Sequence, residues 1–296
     1  MVELNAYYFQ KGSLLFVLCC VLAFCLSLYC SSARAQAADD DLPVEDPVMQ
    51  AHVHWLSLEP GLEAADISLG REHHLSVLRI DPAHFNFVLC ASSQHGVPRS
   101  LARWSTDFDL VAAINAGMYL PDGRTNVGYL REGRHINNKR VSQRPGAFFV
   151  AGPDGPDLPS VAILEREDPR WQQLDRFRLV IQNYRMISGQ RQILWQADGP
   201  PSAIAAVGED GQGHILFLYC PQDMDPYRFC RWLLDLPLDV RTVMYVEGGS
   251  QAGLSLRCAQ AQRDLGGTVS SFLQGLVQKA QLPNVLGIKR KTGVME

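Results

Sequence analysis

Apolar and polar residues alternate through much of the first half of the chain. In "HLSVLRID" the apolar positions include Leu75, Val77 and Ile80, and "AHFNFVLC" repeats the near two-residue period with Phe85, Phe87 and Leu89. Side chains on a strand point to opposite faces in turn, so this period predicts two half-buried strands, with Asp81 and Pro82 marking a tight connection between them. Apolar runs bounded by turn residues predict further strands over 110–114, 127–130, 147–151, 161–164, 179–182, 202–207, 214–219 and 242–246. "REG", "GPDGP" and "EDGQG" supply turn chemistry between several of them. Helical spacing is rarer. Over 226–236, Asp225 is placed to cap, Pro226 takes the first position, and Phe229, Trp232, Leu233 and Leu236 share a face. A second helix is predicted over 269–280. Many strands with a few late helices predict a single α+β domain with a large mixed β-sheet core and a few flanking helices.

The N-terminus follows a different pattern. Lys11 precedes an apolar run over 14–28, which Ser31 and Ser32 break and Ala33, Arg34 and Ala35 close. This predicts a signal peptide over 1–35, because the run is shorter than the roughly 20 residues a membrane-spanning helix requires. An acidic, proline-punctuated flexible leader over 36–51 then precedes a domain over 52–296. The expected product is exported and periplasmic, meeting the membrane only through the signal segment before cleavage. The full chain carries 27 basic and 31 acidic residues; removal of Lys11, Arg34 and Glu3 leaves 25 against 30, a net charge of −5. With no basic block beyond Lys289, Arg290 and Lys291, nucleic acid is not an expected partner. Cys90, Cys220, Cys230 and Cys258 remain after cleavage, and either disulfides or buried thiols fit them. No His or Cys spacing builds a zinc site, and neither metal nor cofactor is expected.

Two predicted strands end on unusual polar clusters. "VAAINAGMYLPDG" stops on Asn115, Gly117 and Tyr119, and "TVMYVEGGSQAGL" stops on Glu247, Gly248, Gly249, Ser250 and Gln251. A carboxylate followed by two glycines lets backbone N–H groups approach a ligand while Glu247 acts as base, nucleophile or electrostatic stabiliser. The Asn115 amide offers donors and an acceptor to a sugar hydroxyl, with Gly117 permitting close approach. Tyr184, Trp195 and Tyr219 are candidate stacking platforms for sugars. Asp122 and Glu132 read as turn residues.

Taken in order, "AINAGMY", "NVGYLREG", "GAFFV", "LVIQNYRMI", "PSAIAAVGEDG", "VMYVEGGSQAGL" and "LPNVLGI" resemble the phosphodiester glycosidase family, over roughly His73 to Ile288. The resemblance implies an α+β fold and hydrolysis of a bond between an anomeric carbon and a phosphate oxygen. It implies Glu247 and Asn115 as catalytic residues. It implies Gly117, Tyr119, Gly128, Gly248, Gly249 and Ser250 as substrate-binding residues and a glycan or sugar-phosphate substrate, and Gln182 and Arg185 are further candidates for substrate binding. Glu247 stands where the family has Asp, Ala147 where bacterial members often have Asn, and Pro201 where the family commonly carries an arginine. A guanidinium matches the charge that develops on a departing phosphate, so Arg185, Arg140 and Arg144 are the candidate replacements. The alternatives are a non-catalytic member that binds envelope glycans and an exported hydrolase of unphosphorylated polysaccharide.

Overall fold

Strands dominate the chain to a degree the α+β expectation did not anticipate. The computed structural model describes residues 53–70, 72–271 and 276–292, so the predicted signal segment and leader lie outside the described residues. Among the described residues there are eighteen β-strands and three α-helices, and every strand pair is antiparallel. The fold is therefore mainly β, built on antiparallel sheets, and the expectation of a mixed-sheet α+β domain is corrected. The helix predicted over 269–280 is also replaced. Its ends form the antiparallel pair β16 (Thr268–Ser271) and β17 (Leu276–Lys279), with Thr268 opposite Lys279.

The larger sheet has eleven strands. Its main path runs β1 (Leu56–Glu59), β2 (Leu62–Leu69), β3 (His73–Ile80), β12 (Ile215–Met224), β11 (Ser202–Asp210), β13 (Val240–Gly248), β10 (Phe177–Ile187), β6 (Leu130–Glu132) and β7 (His135–Asn138). β8 (Ala147–Pro153) pairs with β10 and also with β9 (Val161–Glu165). The smaller sheet has five strands: β15 (Gln262–Gly266), β14 (Gly253–Arg257), β5 (Ala112–Asn115), β18 (Asn284–Arg290) and β4 (Phe85–Ala91).

The alternation read from the sequence explains how these sheets stack. One buried cluster joins Leu62, Leu78, Ile80 and Phe217 of the larger sheet to Phe87, Leu89, Ile114, Leu254 and Leu286 of the smaller. The opposite face of the larger sheet packs Ile67, Val77, Ile204 and Leu218 against Phe229, Cys230 and Leu233 of the helix α3 (Pro226–Asp235). That helix starts as its sequence predicts: the Asp225 carboxylate accepts from the Arg228 N–H at 2.9 Å and Pro226 opens the first turn. The outer face of the smaller sheet is covered by α2 (Leu101–Asp107), whose Leu101 and Trp104 pack on Ala113, Leu282 and Val285. The order of layers is thus helix, sheet, sheet, helix, with α1 (Ser92–His95) a single turn after β4. Cys90, Cys220, Cys230 and Cys258 are all buried free thiols.

Two contacts knit the sheets directly. Phe87 of β4 meets the edge of Phe149 of β8 at 5.3 Å and of Phe217 of β12 at 6.4 Å between ring centroids. Glu132, expected in a turn, instead lies on β6, where its Oε2 accepts from the Leu89 N–H at 3.0 Å and its carboxylate pairs with Arg178. Truncating the aromatic spacer Phe87 leaves a cavity between two rigid sheets. The expected cost of Phe87→Ala is about 3–5 kcal/mol by chemical denaturation; a loss below about 1 kcal/mol would show that the sheets close without this contact.

Candidate functional site

The two polar strand ends meet. Asn115, at the last position of β5, is 2% exposed. Its Nδ2 donates to the Gln251 carbonyl at 3.1 Å and its Oδ1 accepts from the Gly253 N–H at 2.9 Å. This one side chain therefore fastens the segment leaving β13 to the edge of β5. Tyr119 completes the junction, its hydroxyl donating to the Gln251 side chain. Between them lies a single 3-10 turn, Gly249–Gln251, entered through Gly249 at a φ of 63°, where a residue with a Cβ is disfavoured.

Glu247 sits beside this junction on β13, 8% exposed. Val246 is an extra residue in the register, since Ala205 pairs with Glu247 and Ala206 with Tyr245. Such a bulge re-aims the end of a strand. The Glu247 carboxylate accepts from the Gly248 N–H at 3.0 Å, and the structure gives it no ion-pair partner among the described residues. Burial pushes its pKa up to about 7, only partly opposed by that N–H. Two phenols register its charge. The Tyr119 hydroxyl is raised by burial and then by Glu247, and Tyr245 is pushed up to about 12 by the same two causes.

Gly248, the residue after Glu247, abuts Tyr245 and Ser202. A Cβ at Gly248 would fall 1.9 Å from the Tyr245 hydroxyl and 3.2 Å from the Ser202 Oγ, so the backbone at this position abuts both groups. Tyr245 and Ser202 in turn line a cavity of about 710 Å³. Its wall includes the aromatic rings of Tyr184 and Trp195, with Trp195 lying 5.1 Å from Tyr245 between centroids, and the guanidinium-bearing residues Arg144 and Arg185. Glu247 is not itself one of the lining residues.

The other predicted site residues divide clearly. Gln182 is fully buried and all its capacity is engaged. Its Oε1 accepts from the N–H groups of Tyr129 and Ser142, and its Nε2 donates to the carbonyls of Ser142 and Pro145 at 2.8 and 2.7 Å. It therefore secures the loop that carries Arg144 rather than facing the cavity. Gly128 packs on Gln182, and Gly117 on the amides of Asn126 and Asn183, so both are enclosed. Gly249 and Ser250 lie at the surface of the turn, Ser250 exposed. Tyr219 is 4% exposed in the core between the sheets. Arg140 does not line the cavity, whereas Arg144 and Arg185 do. Pro201 is exposed between the lining residues Pro200 and Ser202, so the position of the absent arginine and the two present guanidinium groups border one space. Tyr245 and Ser202 were not singled out from the sequence, whereas Gln251 was named with the polar end of its strand.

No family model matches the chain, and no curated protein matches it. Solved structures do share its fold. A hypothetical protein from Synechocystis superposes with a TM-score of 0.55 at 11% identity, over 81% of this chain; the chain spans 64% of that protein's length. The catalytic domain of zebrafish N-acetylglucosamine-1-phosphodiester alpha-N-acetylglucosaminidase, auto-inhibited by its pro-peptide, superposes with a TM-score of 0.53 at 16% identity, over 85% of this chain and 92% of that domain. These likenesses establish a distant relationship of fold.

Two outcomes follow from the site geometry. Asn115→Ala leaves the buried Gly253 N–H without its acceptor and unties the 3-10 turn, so denaturant unfolding is expected to lose about 2–4 kcal/mol; an unchanged midpoint would mean the turn holds its place without the amide. Glu247 binds its proton more tightly folded than unfolded, about 7 against the ordinary 4.5. The stability this contributes is complete below about pH 4.5 and is lost as pH rises through about 7. Glu247→Gln, a mimic of the protonated form, is accordingly expected to match the wild type at pH 4.5 and exceed its stability by about 3 kcal/mol at pH 8. Parallel denaturation curves at both pH values check this, and a difference independent of pH would contradict it.

Proposed function

We propose that this chain is an exported, periplasmic hydrolase that cleaves a sugar-phosphate diester in a glycan or envelope polymer. The observation that carries the reading is the cavity in which Arg144 and Arg185 stand with Tyr184, Trp195 and Tyr245, with Glu247, whose pKa burial pushes up to about 7, close enough behind Tyr245 to act on that phenol. The ordered motifs and the fold shared with a phosphodiester glycosidase catalytic domain support the same reading.

In this proposal the aromatic rings receive the sugar faces and the guanidinium groups take the phosphate oxygens. Positive charge there stabilises the phosphate as the bond to the anomeric carbon breaks. Glu247 is poised for proton transfer because its pKa near 7 keeps both protonation states populated at working pH. Tyr119 and Gln251 hold the strand end in place. Asn115 acts through its grip on Gln251 and Gly253. Arg144 and Arg185 supply from other strands and loops the cation that Pro201 cannot.

A second reading, a protein that binds such glycans without cleaving them, draws on Pro201 and on the burial of Glu247 behind Tyr245 and Ser202. Incubating the purified protein with the methyl phosphodiester of N-acetylglucosamine 1-phosphate separates the two. The hydrolase releases free sugar, and Glu247→Gln lowers kcat about 10²–10⁴-fold. Binding by calorimetry with no sugar released would favour the binder, and equal turnover by both proteins would remove Glu247 from the chemistry.

A further inference from the structure

We propose that Glu167 is a displaceable counter-ion for Arg185, so that an oxyanion enters the cavity by exchanging with the Glu167 carboxylate. This rests on the reading above only in taking Arg185 as the cavity's anion-binding group.

Arg185 faces two carboxylates of different character. Its Nη1 lies 2.6 Å from the Glu167 Oε2 and 3.7 Å from the Glu165 Oε2. Glu165, at the end of β9, is buried, and its Oε1 accepts from the Gly189 N–H at 2.7 Å, with the Thr242 hydroxyl, which donates to the Ile187 carbonyl, 3.4 Å away. Those contacts fix Glu165 whatever Arg185 does. Glu167 lies two residues beyond the strand with its side chain 63% exposed, and Arg185 is its one hydrogen-bond or ion-pair partner among the described residues. It can swing into water at little cost.

The arginine itself stays where it is. Its guanidinium stem crosses Gly146, where a Cβ would meet the Arg185 Nε at 2.9 Å, and Gln182 pins the adjoining 142–145 stretch. The Trp195 indole N–H donates to the Arg185 carbonyl at 2.6 Å. A fixed guanidinium with one permanent and one labile carboxylate forms a site whose labile position matches a phosphate oxygen. Glu167 then sets a threshold: a ligand must offer an oxyanion that outcompetes it. A neutral sugar meets no such competition.

Calorimetric titration of the full chain with inorganic phosphate tests this, with glucose as the neutral probe. Glu167→Gln is expected to tighten phosphate binding about 3- to 5-fold, in line with an exposed pair, and to leave glucose unchanged. The gain should vanish in an Arg185→Met background, since a double-mutant cycle isolates the exchange from the general field of a lost charge. Arg185→Lys, which keeps the charge but loses the fork, serves as the second background if Arg185→Met no longer melts cooperatively. Three results would overturn the proposal: unchanged phosphate affinity in Glu167→Gln, the same gain in both backgrounds, or no phosphate binding by any of the proteins. Expected exchange together with an inert sugar phosphodiester would leave this inference standing and remove the hydrolase reading alone.

Discussion

A single buried amide sets the geometry on which the cavity depends. β5 ends in one sheet and β13 in the other, and the chain passes from the second back to the first through a turn of three residues. Nothing in that turn packs well enough to fix it, since Gly249 and Ser250 contribute no buried side chain. Asn115 supplies what packing does not, because its carboxamide presents a donor and an acceptor in one rigid plane and meets a carbonyl and an N–H of the returning segment. An aspartate would lack the donor and a leucine both groups. With the turn fixed, Gln251 is placed to receive the Tyr119 hydroxyl, and Glu247 is held in an environment where its charge is costly.

That cost is the electrostatic counterpart of the amide. Many carboxylates here sit beside arginine; Glu63, Asp107, Asp157, Asp168 and Asp264 all have ion pairs. Glu247 has one backbone N–H and two phenols for neighbours, and burial outweighs what these provide. A group kept unstable in its charged form at neutral pH is a poor stability element and a good proton-transfer element. Arg144 and Arg185 border the cavity instead, and Arg185 is balanced by Glu165 and Glu167.

Much of the fold was legible because one face of each sheet is buried. Alternation in "HLSVLRID" and "AHFNFVLC" marks β3 and β4, and the Asp-Pro start marks α3 within a residue of its observed end. The predicted helix over 269–280 failed for the opposite reason. Val269, Leu276, Val277 and Ala280 satisfy a helical period, but Thr268 and Val269 are β-branched and the two ends pair across a hairpin, which overrides a weak local preference. The short α2 went unseen although Ser100 caps it by accepting from the Arg103 N–H, because seven residues offer scarcely two turns of periodicity. At the site, Asn115, Tyr119 and Glu247 were legible as polar groups interrupting apolar strand ends. The packing of Gln182 was not legible, since three of its four hydrogen bonds depend on a loop some forty residues away and the fourth on the Tyr129 N–H.

The relocated cation shows why the rest was not legible. Tyr184 and Arg185 are consecutive on β10, and consecutive residues of a regular strand face opposite sides of a sheet. Both line the cavity nonetheless. Just beyond them the register slips: Arg185 pairs with Met244 and Ile187 with Val243, leaving Met186 as an extra residue. On the neighbouring strand Val246 is likewise extra, between Tyr245 and Glu247. Ala205, opposite Glu247, packs between the sheets and Ala206, opposite Tyr245, packs on the helix side, so the slip at Val246 sets Glu247 and Tyr245 on different faces and leaves the carboxylate off the cavity wall. A bulge has no residue signature of its own, because it is a property of pairing between strands about forty to sixty residues apart. The sequence could therefore name the carboxylate and list the arginines, whereas the face that a strand-end side chain takes is decided by where two strands slip by one residue.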